Sequence, residues 1–119
     1  MTLCEGDWFD ALPRELIGAV DLVISNPPYV PDEAPLPADV AEWEPATALY
    51  GGHDGLDAFR TIVADAPKWL ATGGALVMEH GDDQHAAVEM LVRATGAFGA
   101  TREVADLSGR SRGLVAVKL

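Results

Sequence analysis

One short stretch of the chain, Ser25-Asn26-Pro27-Pro28-Tyr29, places an amide, two prolines and an aromatic ring directly after an apolar run. Proline has a fixed φ and no N–H group, so the chain cannot continue here as an inner strand of a sheet. Residues before a proline are also held near extended geometry, which stiffens the corner. The corner therefore presents the Asn26 carboxamide and free backbone carbonyls, an arrangement that can hold a planar group carrying N–H donors.

The elements that position this corner follow from the hydrophobic pattern. Residues 19–25 and 75–79 are near-continuous apolar runs, which predict buried parallel strands. Between them, helical spacing predicts a helix that has Asp54 as its N-cap and ends at Gly73 and Gly74. The expected apolar face of this helix consists of Leu56, Phe59, Ile62, Val63, Ala66 and Leu70.

The remaining segments complete the predicted layout. Residues 2–9 are interpreted as the tail of a strand followed by a turn, and residues 30–50 as a long irregular loop of the kind that binds ligands. Asp82 or Asp83 is expected to cap a second helix over residues 84–95, with Val88, Leu91 and Val92 buried and Gly96 at its end. Two strands follow, over residues 101–107 and 113–119.

This order of elements predicts an α/β layered fold with mostly parallel strands. Ligands in such sheets bind at the carboxyl ends of strands. Asn26 lies at one such end and Glu79-His80-Gly81 at another. We therefore expect both corners to face one crevice.

Composition restricts the function classes. The 119 residues suit one domain, and 19 acidic against 8 basic side chains give a formal charge of −11. Such a charge repels nucleic acid, since binding there depends on Lys and Arg neutralising phosphates. One cysteine, Cys4, excludes an internal disulfide and is expected to be a small buried residue. With no signal-peptide pattern and no long apolar run, we expect a cytoplasmic protein without a membrane association.

Several short segments, taken in their order along the chain, resemble the motifs of a known family. They are Gly6-Asp7-Trp8-Phe9, Asn26-Pro27-Pro28-Tyr29, Glu44-Pro45 with Ala48-Leu49, residues 51–57, Glu79-His80-Gly81 and residues 106–112. Together they are similar to the protein-(glutamine-N5) methyltransferases of peptide-chain release factors, the HemK/PrmC type. The resemblance implies an S-adenosylmethionine-dependent enzyme of translation termination that methylates the glutamine amide in the Gly-Gly-Gln motif of a class 1 release factor.

The same resemblance assigns roles to individual residues. Asn26, through its side-chain oxygen, and Pro27, through its backbone carbonyl, accept the two N–H groups of the substrate amide. Tyr29 stacks on the plane of that amide, and Pro28 completes the substrate-binding corner. Trp8 and Asn26 match the family's contacts to the cofactor. No metal ligand is implied.

The chain also departs from the family pattern. Neither the glycine-rich loop after the first strand nor the acidic residue after the second is present, and the N-terminal helical domain is missing. We therefore interpret residues 1–119 as one partial catalytic domain, the C-terminal part of a Rossmann-like class I methyltransferase. In the family's strand order 3-2-1-4-5-7-6, residues 21–25 form the fourth strand, and without the first its edge is open. We expect the isolated chain to be unstable or to self-associate through this edge, and to bind S-adenosylmethionine weakly or not at all.

Two other functional classes stay open at this point. One is a nucleic-acid methyltransferase acting on adenine or guanine, against which the charge argues. The other is an inactive remnant or one half of a split enzyme. Other interpretations of single residues also stay open. Trp8 could be a core or rim aromatic, and Arg110 and Arg112 are interpreted as surface loop charges, with binding of an acidic partner as the alternative. His53, His80 and His85 are interpreted as exposed or capping residues.

Overall fold

The computed structural model describes residues 2–29 and 54–119. Two short 3-10 turns, Trp8–Ala11 and Arg14–Leu16, precede the first strand. The regular elements that follow are strand β1 Val20–Ser25, helix α1 Asp57–Trp69, strand β2 Leu70–Glu79, helix α2 His85–Ala94, strand β3 Phe98–Ala105 and strand β4 Ser111–Lys118.

The four strands form one mixed sheet in the order β1-β2-β4-β3. β1 pairs with β2 in parallel, whereas β4 pairs antiparallel with both β2 and β3. The expectation of mostly parallel strands is therefore wrong, because β3 and β4 form a hairpin that inserts its second strand beside β2. The observed order is that of the family's strands 4-5-7-6, so the expected C-terminal part of a Rossmann-like methyltransferase sheet is confirmed.

One face of the sheet is buried under both helices. Register places Leu76 and Met78 of β2 opposite Ala116 and Leu114 of β4, and all four are fully buried. Their partners in the core come from α1, α2 and the ends of strands: Phe59, Ile62, Val63, Ala66, Val88, Val92 and Phe98. Most of the predicted apolar faces of both helices are thus confirmed, although Leu56 and Leu91 are only partly buried and Leu70 lies in β2 rather than in the helix. This face of the sheet holds the core of the described residues.

The opposite face of the sheet is apolar and largely exposed. Leu22 and Ile24 of β1 are 55% and 73% exposed, and Val104 and Val117 are also exposed. Side chains alternate between the two faces of a strand, so these residues point away from the helices. Within residues 2–29 and 54–119, no helix lies on this face.

The junction between α1 and β2 differs from the prediction. The helix ends at Trp69 and the strand begins at once at Leu70, so Gly73 and Gly74 lie inside β2 rather than ending the helix. Val20 pairs with Leu70 and Leu22 with Ala75, so four residues of β2 lie between these pairs against one of β1. The glycines make this bulge feasible, because Gly73 has φ +82° and a Cβ on Gly74 would lie 3.0 Å from the carbonyl oxygen of Val20.

Helix starts were also predicted imprecisely. α2 has Gln84, not Asp82 or Asp83, at its N-cap position, and α1 has Leu56 rather than Asp54. Asp54 still accepts the Leu56 N–H at 3.0 Å, so it stabilises the turn before α1. Gly96 follows α2 with φ +67°, as expected for a residue that ends a helix in the left-handed region.

Three further expectations concern segments outside the sheet. Residues 2–5 form no strand, because no described strand lies beside them, and Cys4 is exposed rather than buried. The loop at about 30–50, with Glu44 and Pro45, lies outside the described residues. Among the described helices, none has the length and apolar character needed to cross a bilayer.

Candidate functional site

The Asn26 corner lies at the carboxyl end of β1, beside the equivalent end of β2. Ser25 pairs with Met78, so the chain leaves β1 at Asn26 next to the point where β2 reaches Glu79. Asn26 is exposed, whereas Pro27 is buried and Pro28 and Tyr29 are half-buried. The corner therefore holds its prolines against the protein and leaves the Asn26 carboxamide accessible.

A cavity of about 550 Å³ opens at this point. Asn26 and Glu79 line it together, so the expected common crevice is confirmed for Glu79, whereas Gly81 lines a different groove. The rest of the lining comes from both faces of the strand ends and from the turn between β3 and β4: Ile24, Ser25, Val77, Met78, Val104, Asp106, Arg112 and Gly113. The cavity is continuous with the exposed apolar face of the sheet, through Ile24, Val77 and Val104.

Trp8 lines a second, smaller cavity of about 220 Å³ beside β1. This cavity shares Ile24 and Ser25 with the first, and its other lining residues are Phe9, Leu12, Val23 and Ile62. Trp8 is 40% exposed and has φ +50°, a backbone conformation that bulky residues rarely adopt. Trp8 and Asn26 thus lie on two adjoining cavities that meet at Ser25.

Tyr29 lines a third groove, of about 400 Å³, on the other side of the corner. Gly81, Asp82, Gln84 and Arg112 contribute to the same groove. The structure therefore brings Asn26 and Trp8 together around Ser25, whereas the Tyr29 ring and the Asn26 amide line different cavities that have Arg112 in common.

Gln84, which the sequence pattern did not single out, joins the two corners. Its side-chain Nε2 donates to the Tyr29 carbonyl at 2.8 Å, and its Oε1 accepts the Gly81 N–H at 2.8 Å. The residue is only 9% exposed. A buried glutamine with both ends of its amide paired holds one conformation, so Gln84 fixes the distance between the two corners.

Arg112 and Asp106 form a charged pair at the border of the Asn26 cavity. Arg112 Nε donates to Asp106 Oδ2 at 3.0 Å, while Asp106 Oδ1 accepts from the Ser108 hydroxyl at 2.7 Å and from the Ser108 and Arg110 N–H groups. The Ser108 hydroxyl, followed by Arg112, holds the pKa of Asp106 well below its usual range. Asp106 in turn raises the pKa of Arg112. The interpretation of Arg112 as a surface loop charge is therefore wrong: it is half-buried and lines two cavities.

His80 was expected to be exposed or to cap a helix, and it is fully buried instead. Its Nδ1 lies 2.7 Å from the Gly81 carbonyl, which can only accept, so this nitrogen carries the proton. Its Nε2 lies 3.2 Å from Nδ1 of His85. Both ring nitrogens are paired, so burial leaves no polar atom of His80 without a partner. Across residues 2–29 and 54–119, no cluster of three or more His, Cys, Asp or Glu is arranged to hold a metal ion.

Sequence comparison identifies relatives of the chain. It is 46% identical over 110 residues to the release factor glutamine methyltransferase of Mycolicibacterium smegmatis, a match that covers 92% of this chain and 39% of the relative. It is 47% identical over 109 residues to the protein of the same name from Xylella fastidiosa, covering 91% of this chain and 38% of the relative. The resemblance to release factor glutamine methyltransferases is confirmed. The chain spans about two fifths of the length of these relatives and matches their C-terminal part.

Another relative of the chain has a different name. The 4-amino-L-phenylalanine/4-methylamino-L-phenylalanine methyltransferase of Streptomyces pristinaespiralis is 46% identical over 98 residues, covering 79% of this chain and 32% of the relative. No family model matches the chain. Release factor glutamine methyltransferases and this methyltransferase are therefore both similar to most of the chain.

A solved structure with a similar fold is the Mtq2–Trm112 complex of E. cuniculi, described as responsible for methylation of the eRF1 translation termination factor. The TM-score is 0.55 at 23% identity, and the match covers 85% of this chain and 53% of that chain. This likeness supports the methyltransferase fold.

Proposed function

We propose that these residues form the substrate side of an S-adenosylmethionine-dependent enzyme that methylates the glutamine side-chain amide of the Gly-Gly-Gln motif in a class 1 release factor. The observation that carries the proposal is the Asn26 corner: an exposed carboxamide, held by buried Pro27 at the end of a strand, in a cavity beside Glu79. Relatives at 46% and 47% identity that are named for this activity support it.

The roles proposed for the corner follow from the chemistry of an amide. An amide nitrogen is a weak nucleophile, because its lone pair is delocalised into the carbonyl group. Asn26 Oδ1 and the Pro27 carbonyl oxygen each accept one N–H of the substrate amide, which orients the nitrogen and stabilises the positive charge that develops on it. Pro28 and Tyr29 bound the substrate. With the cofactor bound, the new nitrogen–methyl bond would form as the sulfonium–methyl bond breaks, and a neutral thioether would leave. The nitrogen would then lose one proton to water, so no strong base is needed.

The cavity beside Trp8 fits part of the proposed cofactor. When bound, S-adenosylmethionine supplies an electrophilic methyl group. Among the described residues that line this cavity, Ser25 alone is polar, and Trp8 gives an aromatic wall, so the cavity fits a flat ring such as adenine. Among the same described residues, no carboxylate lines the cavity to bind sugar hydroxyls. We propose that Trp8 and Asn26 contact the cofactor, and that the 119-residue chain alone binds it weakly.

A second candidate function is methylation of an aromatic amine on a small molecule. The relative named for 4-amino-L-phenylalanine, at 46% identity, favours it. An aromatic amine also presents N–H donors beside a plane, so the same corner can hold it. A nucleic-acid substrate is disfavoured by the formal charge of −11. A cytoplasmic location stays a prediction that accords with a release factor substrate.

The test grafts residues 1–119 in place of the matching C-terminal part of the Mycolicibacterium smegmatis relative and assays methyl transfer. Substrates are a release factor, the same factor with its Gly-Gly-Gln glutamine changed to alanine, 4-amino-L-phenylalanine and a DNA duplex. We expect methylation of the intact factor alone, and Asn26→Ala to lower kcat by about a hundredfold. Asp21→Ala, on the exposed part of the same strand, is the control and should retain activity. Preference for the aromatic amine would replace the first proposal with the second.

The cofactor proposal is tested separately by calorimetric titration of the 119-residue chain and of the graft with S-adenosylmethionine. We expect saturable binding by the graft and little heat from the chain alone. Tight binding by a monomer of the chain alone would contradict the expected weak binding and show that residues 1–119 hold the whole cofactor site.

A further inference from the structure

We infer that Gln84 is the positioning residue of the Asn26–Tyr29 corner. Its side-chain amide fixes the position of the corner relative to the end of β2, so that Asn26 and Pro27 can bind the substrate amide. This inference rests on the proposed function. Three observations carry it: the two hydrogen bonds of the Gln84 amide, the backbone hydrogen bonds that hold Gln84 at the N-cap position of α2, and the close packing of Gly81 against the corner.

The two hydrogen bonds of the Gln84 side chain require one donor and one acceptor in the same group. The Tyr29 carbonyl can only accept and receives Gln84 Nε2 at 2.8 Å, whereas the Gly81 N–H can only donate and reaches Oε1 at 2.8 Å. Both contacts are satisfied by a neutral amide and by no ionised side chain of similar length. The contact spans 55 residues of sequence, so it ties the end of β1 to the end of β2.

Gln84 itself is held firmly at the start of α2. Its backbone N–H donates to the Gly81 carbonyl at 3.0 Å, and its carbonyl accepts the Val88 N–H at 3.0 Å. His80 Nδ1 also donates to the Gly81 carbonyl at 2.7 Å. Both polar groups of the Gly81 backbone are therefore paired, so the Gln84 amide is anchored to a rigid part of the protein.

Gly81 leaves the room that this arrangement needs. A Cβ at this position would lie 3.0 Å from Gln84 Oε1 and 3.4 Å from Cδ2 of the Tyr29 ring. The amide and the ring thus pack directly on the Gly81 backbone. Because the prolines stiffen the corner, a fixed Tyr29 carbonyl also fixes the Pro27 carbonyl and the Asn26 side chain two and three residues before it.

This geometry predicts a specific kinetic effect. Loss of the Gln84 contact leaves Asn26 and Pro27 in place as chemical groups but allows the corner to move. Small displacements of orienting groups lower the rate of the chemical step more than they weaken binding. We expect a fall in kcat with little change in the KM for the release factor.

The experiment compares Gln84→Met with Gln84→Glu. Methionine fills the same volume but makes neither hydrogen bond. Glutamate has nearly the same shape: ionised, it still accepts from Gly81 but cannot donate to Tyr29, and protonated, it does both. Gln84→Glu should therefore lose the Tyr29 contact at neutral pH and regain it in acid, whereas Gln84→Met should lose it at every pH.

The Tyr29 contact can be read without any activity. Tyr29 precedes Val30 and Tyr50 precedes Gly51, so carbonyl-13C tyrosine with 15N valine isolates the Tyr29 carbonyl in an NMR spectrum of the 119-residue chain. We expect this signal to move upfield in Gln84→Met, and in Gln84→Glu to return toward the wild-type position as the pH falls. A signal that stays in place in both variants would overturn the inference.

Activity in the graft gives the second readout. We expect kcat to fall about tenfold to a hundredfold in Gln84→Met, and the ratio of Gln84→Glu to wild-type kcat to rise as the pH is lowered. Unchanged kcat in both variants would also overturn the positioning role. If the wild-type graft methylates no substrate while the Tyr29 signal still responds, the contact stands and the proposed function fails.

Discussion

The two faces of the sheet differ more than any other two regions of the molecule. On one face Leu76, Met78, Leu114 and Ala116 are fully buried under α1 and α2. On the other, Leu22 and Ile24 are mostly exposed, although the residues are just as apolar. The same alternation of side chains along the same strands produces both faces, so the difference lies in what covers them.

The covered face of the sheet contributes to stability, whereas the exposed face carries the candidate functional site. The covered face contains the core, which the chain completes with its own helices. The exposed face carries the Asn26 cavity at the carboxyl ends of β1 and β2, and it extends to β1, the edge strand of the sheet that the described residues form. A sheet edge with unpaired backbone groups and apolar side chains favours pairing with another chain. We therefore expect mutations on the two faces to affect different properties.

The largest expected effect is on the free energy of unfolding, and it is tested by truncating one leucine on each face of the sheet. Leu76→Ala should lower the free energy of unfolding by about 2–5 kcal/mol, because it leaves a cavity in the core. Leu22→Ala, on the exposed face of the neighbouring strand, should change it by about 0.5 kcal/mol or less. Urea denaturation of the two variants measures both values. Equal losses would show that the face bearing Leu22 is as well covered as the core.

A medium effect is expected on self-association through the open edge. Ile24→Lys places a charge on the edge strand and should shift the chain toward monomer in light scattering after size-exclusion chromatography. Met90→Lys is the matched control, because Met90 is 71% exposed against 73% for Ile24 but lies on α2. A purely monomeric wild type, or an equal response of both variants, would contradict an association site at β1.

The smallest expected effect is on the pH dependence of stability, and it concerns two carboxylates. Asp106 lines the Asn26 cavity, and Asp54 lies before α1. The pKa of Asp106 is lowered by Ser108 and Arg112, and that of Asp54, before α1, is lowered to about 2 by Arg60 and the Leu56 N–H. A lowered pKa in the folded state stabilises the protein above the unfolded pKa, near 4, and this contribution is lost as the pH falls below it.

Alanine variants at these two positions test whether the stabilisation by each carboxylate is lost as the pH falls. Asp106→Ala and Asp54→Ala should each be less stable than wild type at pH 7, and the difference should shrink as the pH is lowered from about 5 to 2. Thermal unfolding across this range measures it. Asp54 is exposed and Asp106 is partly exposed to solvent, so the differences should also decrease with added salt. A difference that grows in acid would contradict the lowered pKa values.

The sequence pattern predicted some elements well, for reasons that are local. Residues 20–25 are mostly apolar and are followed by Asn26 and two prolines, so a strand that stops before Asn26 follows from backbone chemistry alone. Phe59, Ile62, Val63 and Ala66 repeat at helical spacing, and all four are buried against the sheet. Gly96 ends α2 because a left-handed residue is needed there.

Other elements were predicted wrongly because their causes are distant in sequence. Gly73 and Gly74 have the composition of a helix end, yet the approach of the Val20 carbonyl makes them a bulge within β2. The antiparallel pairing of β4 depends on a hairpin inserting beside β2, which no local pattern encodes. His80 has a polar side chain, and only its two ring contacts explain why it is buried.

The sequence by itself determined that a rigid corner ends β1 with an accessible amide, and that the neighbouring phrases match those of release factor glutamine methyltransferases. Proline geometry and hydrophobic period are properties of a few adjacent residues, so they are readable without a fold. Only the tertiary structure decided that the corner is held by Gln84 across 55 residues, and that Arg112 lies between two cavities. Such contacts depend on how the strand ends meet, and that depends on the packing of the whole sheet.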